Sequence, residues 1–184
     1  MLSKKYLTFG AFLAAIVSAS PLSAPAPEEG LIVIQQTEFA NGTLTWYGED
    51  PAFTKRSVDA DVPSSKPLHK RCGSALPQCS NIHQSFTSVC RTLIDNLPDT
   101  QIPESPRSTC YNVAGVTCCI SWGKVIDNAR SPALRYAANK VMDACVATNS
   151  KGEVLVSGQT RDTLVGGTCL NQCLSNRATN CDSS

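Results

Sequence analysis

The sequence predicts an α+β fold: a small disulfide-rich domain in which two helices pack on a short antiparallel sheet as an α/β sandwich. Three observations predict it. Ten cysteines all follow residue 71, two stretches carry apolar residues at helical spacing, and two runs are rich in β-branched residues. A domain of this size buries only a modest core, so crosslinks are expected to contribute much of its stability.

The first predicted helix begins at Asn81 as its N-cap and runs to about Leu97, with Pro98 just past its end. Its apolar residues recur every three or four positions, which places them on one face. This apolar set is Ile82, Phe86, Val89, Cys90, Leu93 and Leu97.

The second predicted helix begins with Ser131 as N-cap and Pro132 in the first helical position, and it ends between residues 149 and 152. Cys145 lies on its apolar face, as Cys90 does on the face of the first helix. Each helix can therefore be crosslinked to whatever it covers, and we expect it to cover the sheet.

Two strands are predicted, one within residues 113–125, which include the run Val116–Trp122, and one within residues 153–157, which include Val154–Val156, because both runs are β-prone. The first contains the vicinal pair Cys118 and Cys119. Successive residues of a strand point to opposite faces of the sheet, so these two cysteines are expected to have different partners. We expect Cys90 or Cys145 to bond one of them.

The cysteine pattern predicts a closed disulfide framework, because an even number of cysteines is confined to one part of a secretory chain. A zinc site is disfavoured, since the chain has no C-x-x-C pair and this part of it has a single histidine, His83. We expect five disulfides, no metal and no cofactor, and the sequence does not choose the pairing. The ten cysteines are Cys72, Cys79, Cys90, Cys110, Cys118, Cys119, Cys145, Cys169, Cys173 and Cys181.

Residues 1–19 have the pattern of a signal peptide. Two lysines, Lys4 and Lys5, precede an apolar run over residues 6–17 that is too short to cross a bilayer, and small residues lead to a cleavage site after Ala19. No later stretch approaches about twenty apolar residues, so no membrane span is expected. We expect the product to be secreted to the extracellular space.

Residues 20–71 form a predicted proregion, rich in proline, serine and acidic residues, and residues 72–184 form the cysteine-rich domain. A dibasic pair, Lys70 and Arg71, stands directly before the first cysteine, where a furin-type protease would cut. Cleavage there would release the cysteine-rich domain. The alternative is that the proregion stays attached as an ordered arm.

The proregion contains a predicted hairpin around Asn41 and Gly42, a dipeptide that favours a type I′ turn. Asn41 also begins an N-glycosylation sequon that ends at Thr43. An isolated hairpin is marginal in water, so its apolar arms are expected to cover an exposed edge or face of the cysteine-rich sheet, for example by strand addition, and to assist folding. A flexible glycosylated leader is the alternative.

Catalysis and electrostatic partners are both disfavoured by composition. A Ser-His-Asp or Cys-His nucleophile needs a histidine, and residues 72–184 offer only His83. No G-x-S-x-G elbow occurs, and few aromatic residues are present to bind sugars. Nine basic residues stand against eight acidic ones without a clustered stripe, which argues against nucleic acid and anionic membranes as partners.

Five cysteine-containing runs resemble the fungal secreted cysteine-rich proteins called "WD-like", and the resemblance extends from Cys72 to Cys181. It implies no catalytic residues. The order of elements is more loosely similar to the sandwich of fungal killer-toxin-like effectors, whereas hydrophobins would need eight cysteines with two vicinal pairs. The runs that carry the first resemblance are residues 72–74 (CGS), 88–97 (SVCRTLIDNL), 105–110 (SPRSTC), 118–122 (CCISW) and 169–176 (CLNQCLSN).

The function expected from these features is that of a secreted, non-catalytic binding protein of effector or toxin type, monomeric, acting on an unidentified extracellular protein or cell-surface target. The stapled domain would resist extracellular proteases. A structural protein of the cell wall or surface is the second hypothesis, and a small lytic enzyme is the third. Exposed aromatic or basic protrusions would favour the first, and a cleft with convergent carboxylates would favour the third.

Overall fold

A computed structural model describes residues 30–54, 72, 76–103, 106–126, 128–179 and 181. Within these residues the chain is mostly β, with ten strands in two antiparallel sheets and two ten-residue helices. The predicted α+β sandwich on a short sheet is therefore wrong. In chain order the strands are β1 (Leu31–Phe39), β2 (Gly42–Glu49), β3 (Pro77–Cys79), β4 (Ser85–Phe86), β5 (Pro106–Val113), β6 (Val116–Trp122), β7 (Val146–Thr148), β8 (Val154–Val156), β9 (Gly158–Val165) and β10 (Thr168–Ser175).

The larger sheet has seven strands in the order β1-β2-β5-β6-β10-β9-β3, and the smaller has the order β4-β8-β7. Helix α1 is a single turn at Pro51–Thr54, α2 spans Thr87–Asn96, and α3 spans Arg135–Ala144 after a 3₁₀ turn at Ser131–Leu134. Helix α2 packs on β5 and β6, while α3 packs on β3, β9 and β10. Both helices thus cover the same side of the large sheet, which we call the front face; the opposite side is the back face.

Both predicted helices exist, and both are shorter than expected because short strands occupy their ends. Helix α2 begins at Thr87 and not near Asn81, since Ser85 and Phe86 pair with β8. Helix α3 ends at Ala144, since β7 follows at once and pairs with β8. In each case strand pairing satisfies the backbone groups that a further helical turn would have used.

The main core lies between the front face and the two helices. Residues of β2, β5, β6 and β10 alternate between the faces, as strand geometry requires, and the front-face set is almost fully apolar. On the helices the buried residues recur at three- and four-residue spacing. The core includes Leu44, Trp46, Tyr111, Cys118, Ile120, Trp122 and Leu174 from the sheet, and Val89, Cys90, Leu93, Ala138, Val141 and Met142 from the helices.

The vicinal cysteines crosslink both faces of one strand, as predicted. Cys118 of β6 points to the front and bonds Cys90 of α2, while Cys119 points to the back and bonds Cys110 of β5. These four cysteines are buried. The expectation that Cys90 takes one member of the pair is confirmed.

All ten cysteines are paired, so the described residues hold no free thiol. The three remaining bridges are peripheral: Cys72–Cys169, Cys79–Cys145 and Cys173–Cys181. Cys145 comes directly after α3, so the second helix is crosslinked to the edge strand β3 and not to the vicinal pair. Each helix is thereby tied to a different part of the same sheet.

The hairpin of β1 and β2 is part of the large sheet. Strand β2 lies between β1 and β5, so the predicted pairing of the hairpin with the cysteine-rich sheet is confirmed. Trp46 is buried and meets Trp122 of β6 edge to face, with ring centroids 6.5 Å apart. Glu49 forms an ion pair with Arg107 of β5. The first 71 residues contain no cysteine, so no disulfide holds the hairpin.

The turn of this hairpin is not the one predicted. Phe39 pairs with Gly42, so the two-residue loop is Ala40 and Asn41, and neither Asn41 nor Gly42 has the positive φ that a type I′ turn requires. Gly42 is needed for another reason. A Cβ placed there would lie 2.3 Å from the carbonyl oxygen of Asn112 on β5. Glycine is thus selected by the close approach of two strands.

Two other hairpins do use positive-φ turns. Ala114 and Gly115 join β5 to β6 with φ of 49° and 81°, and Gly166 and Gly167 join β9 to β10 with φ of 55° and 85°. The second of these turns organises two strands that the sequence prediction omitted. A Gly-Gly pair between Val165 and Thr168 is the signal that predicts them.

Replacing Trp46 by alanine tests whether the hairpin belongs to the folded core. We expect W46A to lower the free energy of unfolding by about 3–5 kcal/mol, because it removes a fully buried ring and its contact with Trp122. Ile34→Ala is the matched control, since Ile34 lies on the same hairpin but is exposed, and it should cost less than about 1 kcal/mol. Denaturant unfolding with the disulfides intact measures both. Equal, small effects would contradict the buried position of β2.

Limited reduction tests the disulfide framework. The Cys90–Cys118 and Cys110–Cys119 bridges are buried, whereas Cys79 is exposed and Cys72 and Cys173 are half-buried. A reductant should therefore open the three peripheral bridges first, because exchange requires access to a sulfur atom. Alkylation of the freed thiols, followed by peptide mapping, identifies the order in which the disulfides are reduced. Early labelling of Cys118 or Cys119, or stoichiometric labelling of any cysteine before reduction, would contradict the framework.

Candidate functional site

A half-open groove of about 380 Å³ lies on the back face of the large sheet, near its β3 edge. Strand alternation identifies the face. Gln78, Gln159 and Cys173 stand side by side on β3, β9 and β10, while Gln172 of β10 points the opposite way and donates to the Leu134 carbonyl under α3. The groove is lined by Gln78, Cys79, Ser80, Ile82, His83, Ser157, Gly158, Gln159, Cys173, Ser175, Arg177 and Thr179.

Two disulfides frame the groove. Cys79–Cys145 ties the edge strand to the end of α3, and Cys173–Cys181 ties β10 to the C-terminal segment. Main-chain hydrogen bonds join the walls as well: the Ser80 amide donates to the Ser157 carbonyl over 3.0 Å. The floor and walls are therefore held in place before any ligand arrives.

His83 forms the lip of the groove in an unusual backbone conformation, with φ of +53°. Its carbonyl accepts a hydrogen bond of 2.9 Å from the Asn176 amide, so the bend at residues 81–83 is pinned to the C-terminal segment. A left-handed non-glycine residue costs free energy, and histidine tolerates this region better than most. This bend directly precedes β4, whose pairing with β8 delays the start of α2 to Thr87.

Gly158 makes room where the groove, the edge strand and helix α3 meet. A Cβ at this position would lie 2.8 Å from the Gln78 carbonyl oxygen and 3.0 Å from the Cys145 sulfur. A side chain could not be placed there without moving backbone, so glycine is required by the crossing of α3 over the β3–β9 ladder.

The lining is about half polar and half apolar, and the described residues that form it include basic residues but no acidic one. Arg177 and His83 supply the basic side chains, and no Asp or Glu occurs among the lining residues. Gln159 donates to the Gln78 side-chain oxygen over 3.0 Å, so the two amides form one pair across the edge strands. The groove can therefore donate hydrogen bonds to a ligand, and Arg177 supplies one positive charge.

The described lining of the groove lacks the carboxylates that acid–base catalysis commonly uses. Glycoside and ester hydrolysis use carboxylates or a Ser-His-Asp arrangement, and the lining has hydroxyls and one imidazole without a carboxylate to orient it. Across the part of the chain that the structure describes, no group of three His, Cys, Asp or Glu side chains is placed to hold a metal ion.

The predicted processing sites lie outside the described residues. This applies to the signal-peptide cleavage after Ala19 and to the dibasic pair Lys70 and Arg71. Both stay predictions. Among the residues that the structure does cover, no helix is both long and apolar enough to cross a membrane.

The predicted glycosylation site, Asn41, is exposed at the tip of the β1–β2 hairpin, on the opposite edge of the sheet from the groove. The hydroxyl of Thr43 donates to Glu38 over 2.6 Å, and the amide of Gln36 donates to the same carboxylate over 2.8 Å. These two hydrogen bonds hold the pKa of Glu38 below its usual value, the Thr43 bond contributing more. Glycosylation of Asn41 stays a prediction.

The groove residues were missed by the sequence analysis, apart from His83 and the cysteines. The sequence singles out His83 only as the one histidine of residues 72–184. Arg177 gives no local signal, because it follows a strand end and has no neighbouring basic residue. The groove arises from long-range strand pairing between β3, β9 and β10, which local patterns do not reveal.

One of the comparisons with known proteins identifies a family. The family model described as Fungal WD-like matches residues 53–181, which begins after the β1–β2 hairpin and includes every cysteine. No curated protein matches the chain. No solved structure matches it either, so the looser likeness to killer-toxin-like effectors is not supported. The chain belongs to the fungal WD-like family.

Proposed function

We propose that this chain is an extracellular, non-catalytic binding protein of effector or toxin-like type, and that the back-face groove is its ligand site. The single observation that carries the proposal is the groove itself: a cavity of about 380 Å³, framed by two disulfides, whose lining can donate hydrogen bonds but contains no carboxylate. Binding sites of small molecules start at about 300 Å³ and are usually preformed.

The family and the crosslinks support the extracellular part of the proposal. Five disulfides close a cysteine-rich fungal domain, a combination typical of proteins that work in an oxidising compartment. We propose that residues 1–19 direct secretion, that a glycan on Asn41 projects from the edge of the sheet farthest from the groove, and that a protease cuts after Arg71.

Blocking the groove tests the proposal. Native protein, carrying residues 30–181 at least, is applied to an array of glycans and to a library of short peptides. Gln78→Trp places an indole at the mouth of the groove on the exposed edge strand β3, and Gln36→Trp is the matched control on β1, the opposite edge. We expect Q78W to lower the affinity for any bound ligand by about tenfold or more, and Q36W to leave that affinity unchanged.

Two results would contradict the proposal. One is a ligand that both tryptophan variants bind as tightly as the native protein, which would place its site elsewhere. The other is turnover of the bound glycan or peptide into products, which would make the protein an enzyme. Mass spectrometry of the recovered ligand detects the second.

A further inference from the structure

Two basic residues belong to the lining of the groove, Arg177 and His83. Among the described residues, no carboxylate forms an ion pair with the guanidinium of Arg177, and none hydrogen-bonds the ring of His83. Two other cations of the chain are engaged: Arg107 pairs with Glu49, and Arg130 binds the Asp99 side chain over 2.9 Å. An unpaired guanidinium in a cleft is a site for a ligand that brings the negative charge.

The hydroxyls of the groove fall into two groups. Ser80 and Ser175 are used in local turns, since the Ile82 amide donates to the first hydroxyl and the Arg177 amide to the second, each over 3.2 Å. Ser157 differs. It is 3% exposed, lines the groove, and its hydroxyl has no partner among the described residues. A hydroxyl without a partner on a residue that lines the groove is an additional donor for a bound acceptor.

The main chain around Arg177 is held firmly before binding. The turn at residues 175–177 is closed by the Ser175 hydroxyl, and the flanking Asn176 amide is bonded to His83. Just beyond, Cys181 is bonded to Cys173. A planar guanidinium on a fixed backbone loses less entropy on binding than one on a flexible segment.

The lining also argues against neutral sugars as the main ligand class. Sugar rings are commonly bound by stacking on aromatic side chains, and no Phe, Tyr or Trp lines the groove. Arg177, His83 and Ser157 are among the lining residues, and their side chains can donate hydrogen bonds. These are donors for a group with several acceptor oxygens and a negative charge.

We infer that the groove binds an oxyanion group, a carboxylate, sulfate or phosphate carried by a small molecule, and that Arg177 is the residue that pairs with it. The inference rests on the proposed function, because it names the ligand class of the same groove. The guanidinium takes two oxygens in parallel hydrogen bonds, and Ser157 and His83 donate to the remainder.

Titration with inorganic sulfate, followed by amide NMR of the full folded chain, tests the inference. Sodium chloride at matched ionic strength separates specific binding from screening of charge. We expect sulfate alone to cause saturable shifts in the amides of residues 80–83, 157–159 and 175–179. Parallel titrations with phosphate and acetate show which of the three oxyanions binds with the highest affinity.

Variants assign the interaction to Arg177. We expect Arg177→Gln to abolish the saturable shifts and Arg177→Lys to weaken binding by about tenfold, because lysine keeps the charge and loses the paired donors. Ser157→Ala should weaken it by about threefold, as expected for one neutral hydrogen bond. Arg91→Gln is the matched control: it makes the same change of charge on α2, which covers the front face. It should leave sulfate binding unchanged.

The outcomes separate this inference from the proposed function. Sulfate shifts no larger than those with chloride, or shifts that persist in R177Q with an otherwise native spectrum, would overturn the oxyanion site. If a neutral ligand is displaced by Gln78→Trp while sulfate has no effect, the groove is a binding site but not for oxyanions. Saturable binding that requires Arg177 supports the inference whether or not a larger ligand has been found.

Discussion

The pairing of β2 with β5 is the interaction on which the rest of the architecture depends. Strand β2 supplies buried residues to both faces of the large sheet: Leu44 and Trp46 to the core under the helices, and Tyr47 to the small cluster on the back. Without it, β5 would be an exposed edge and Trp122 would lose its aromatic partner. This pairing is held by hydrogen bonds, packing and the ion pair between Glu49 and Arg107, without a disulfide. The hairpin within the segment predicted to be removable is thus part of the sheet, with β1 at its edge and β2 in its interior.

The disulfides stabilise two different parts of the structure, the centre of the sheet and the walls of the groove. The bridges of Cys118 and Cys119 fasten β6 to a helix on one side and to its neighbouring strand on the other, so they fix the centre of the sheet. The peripheral bridges Cys79–Cys145 and Cys173–Cys181 fix the walls of the groove. The same covalent framework that stabilises a modest core therefore also positions the proposed ligand site. A main-chain hydrogen bond from Asn176 to His83 joins the bend at His83 to the turn that carries Arg177. The preorganisation lowers the entropy that binding must overcome.

Local patterns in the sequence were sufficient for some features and insufficient for others. The alternation rule for strands correctly assigned different partners to Cys118 and Cys119, and helical spacing identified most of α2 and α3. Strand content was underestimated, because Thr- and Gln-containing strands such as β9 and β10 carry polar residues on a face that lines the groove. The hairpin at Asn41 was foreseen, but its loop lies one residue earlier, since Gly42 is required by contact with Asn112. The groove itself depends on the pairing of distant strands, which periodicity alone does not specify.

Native mass spectrometry of the protein from the medium of an expressing culture tests the central claim most directly. The account holds that β1 and β2 belong to the folded sheet, whether or not a protease cuts at the dibasic pair before Cys72. It predicts a native species that contains residues 31–49 together with the cysteine-rich domain, either as one chain or, after cleavage, as two chains that separate only under denaturing conditions. A stable native species composed of residues 72–184 alone would contradict it.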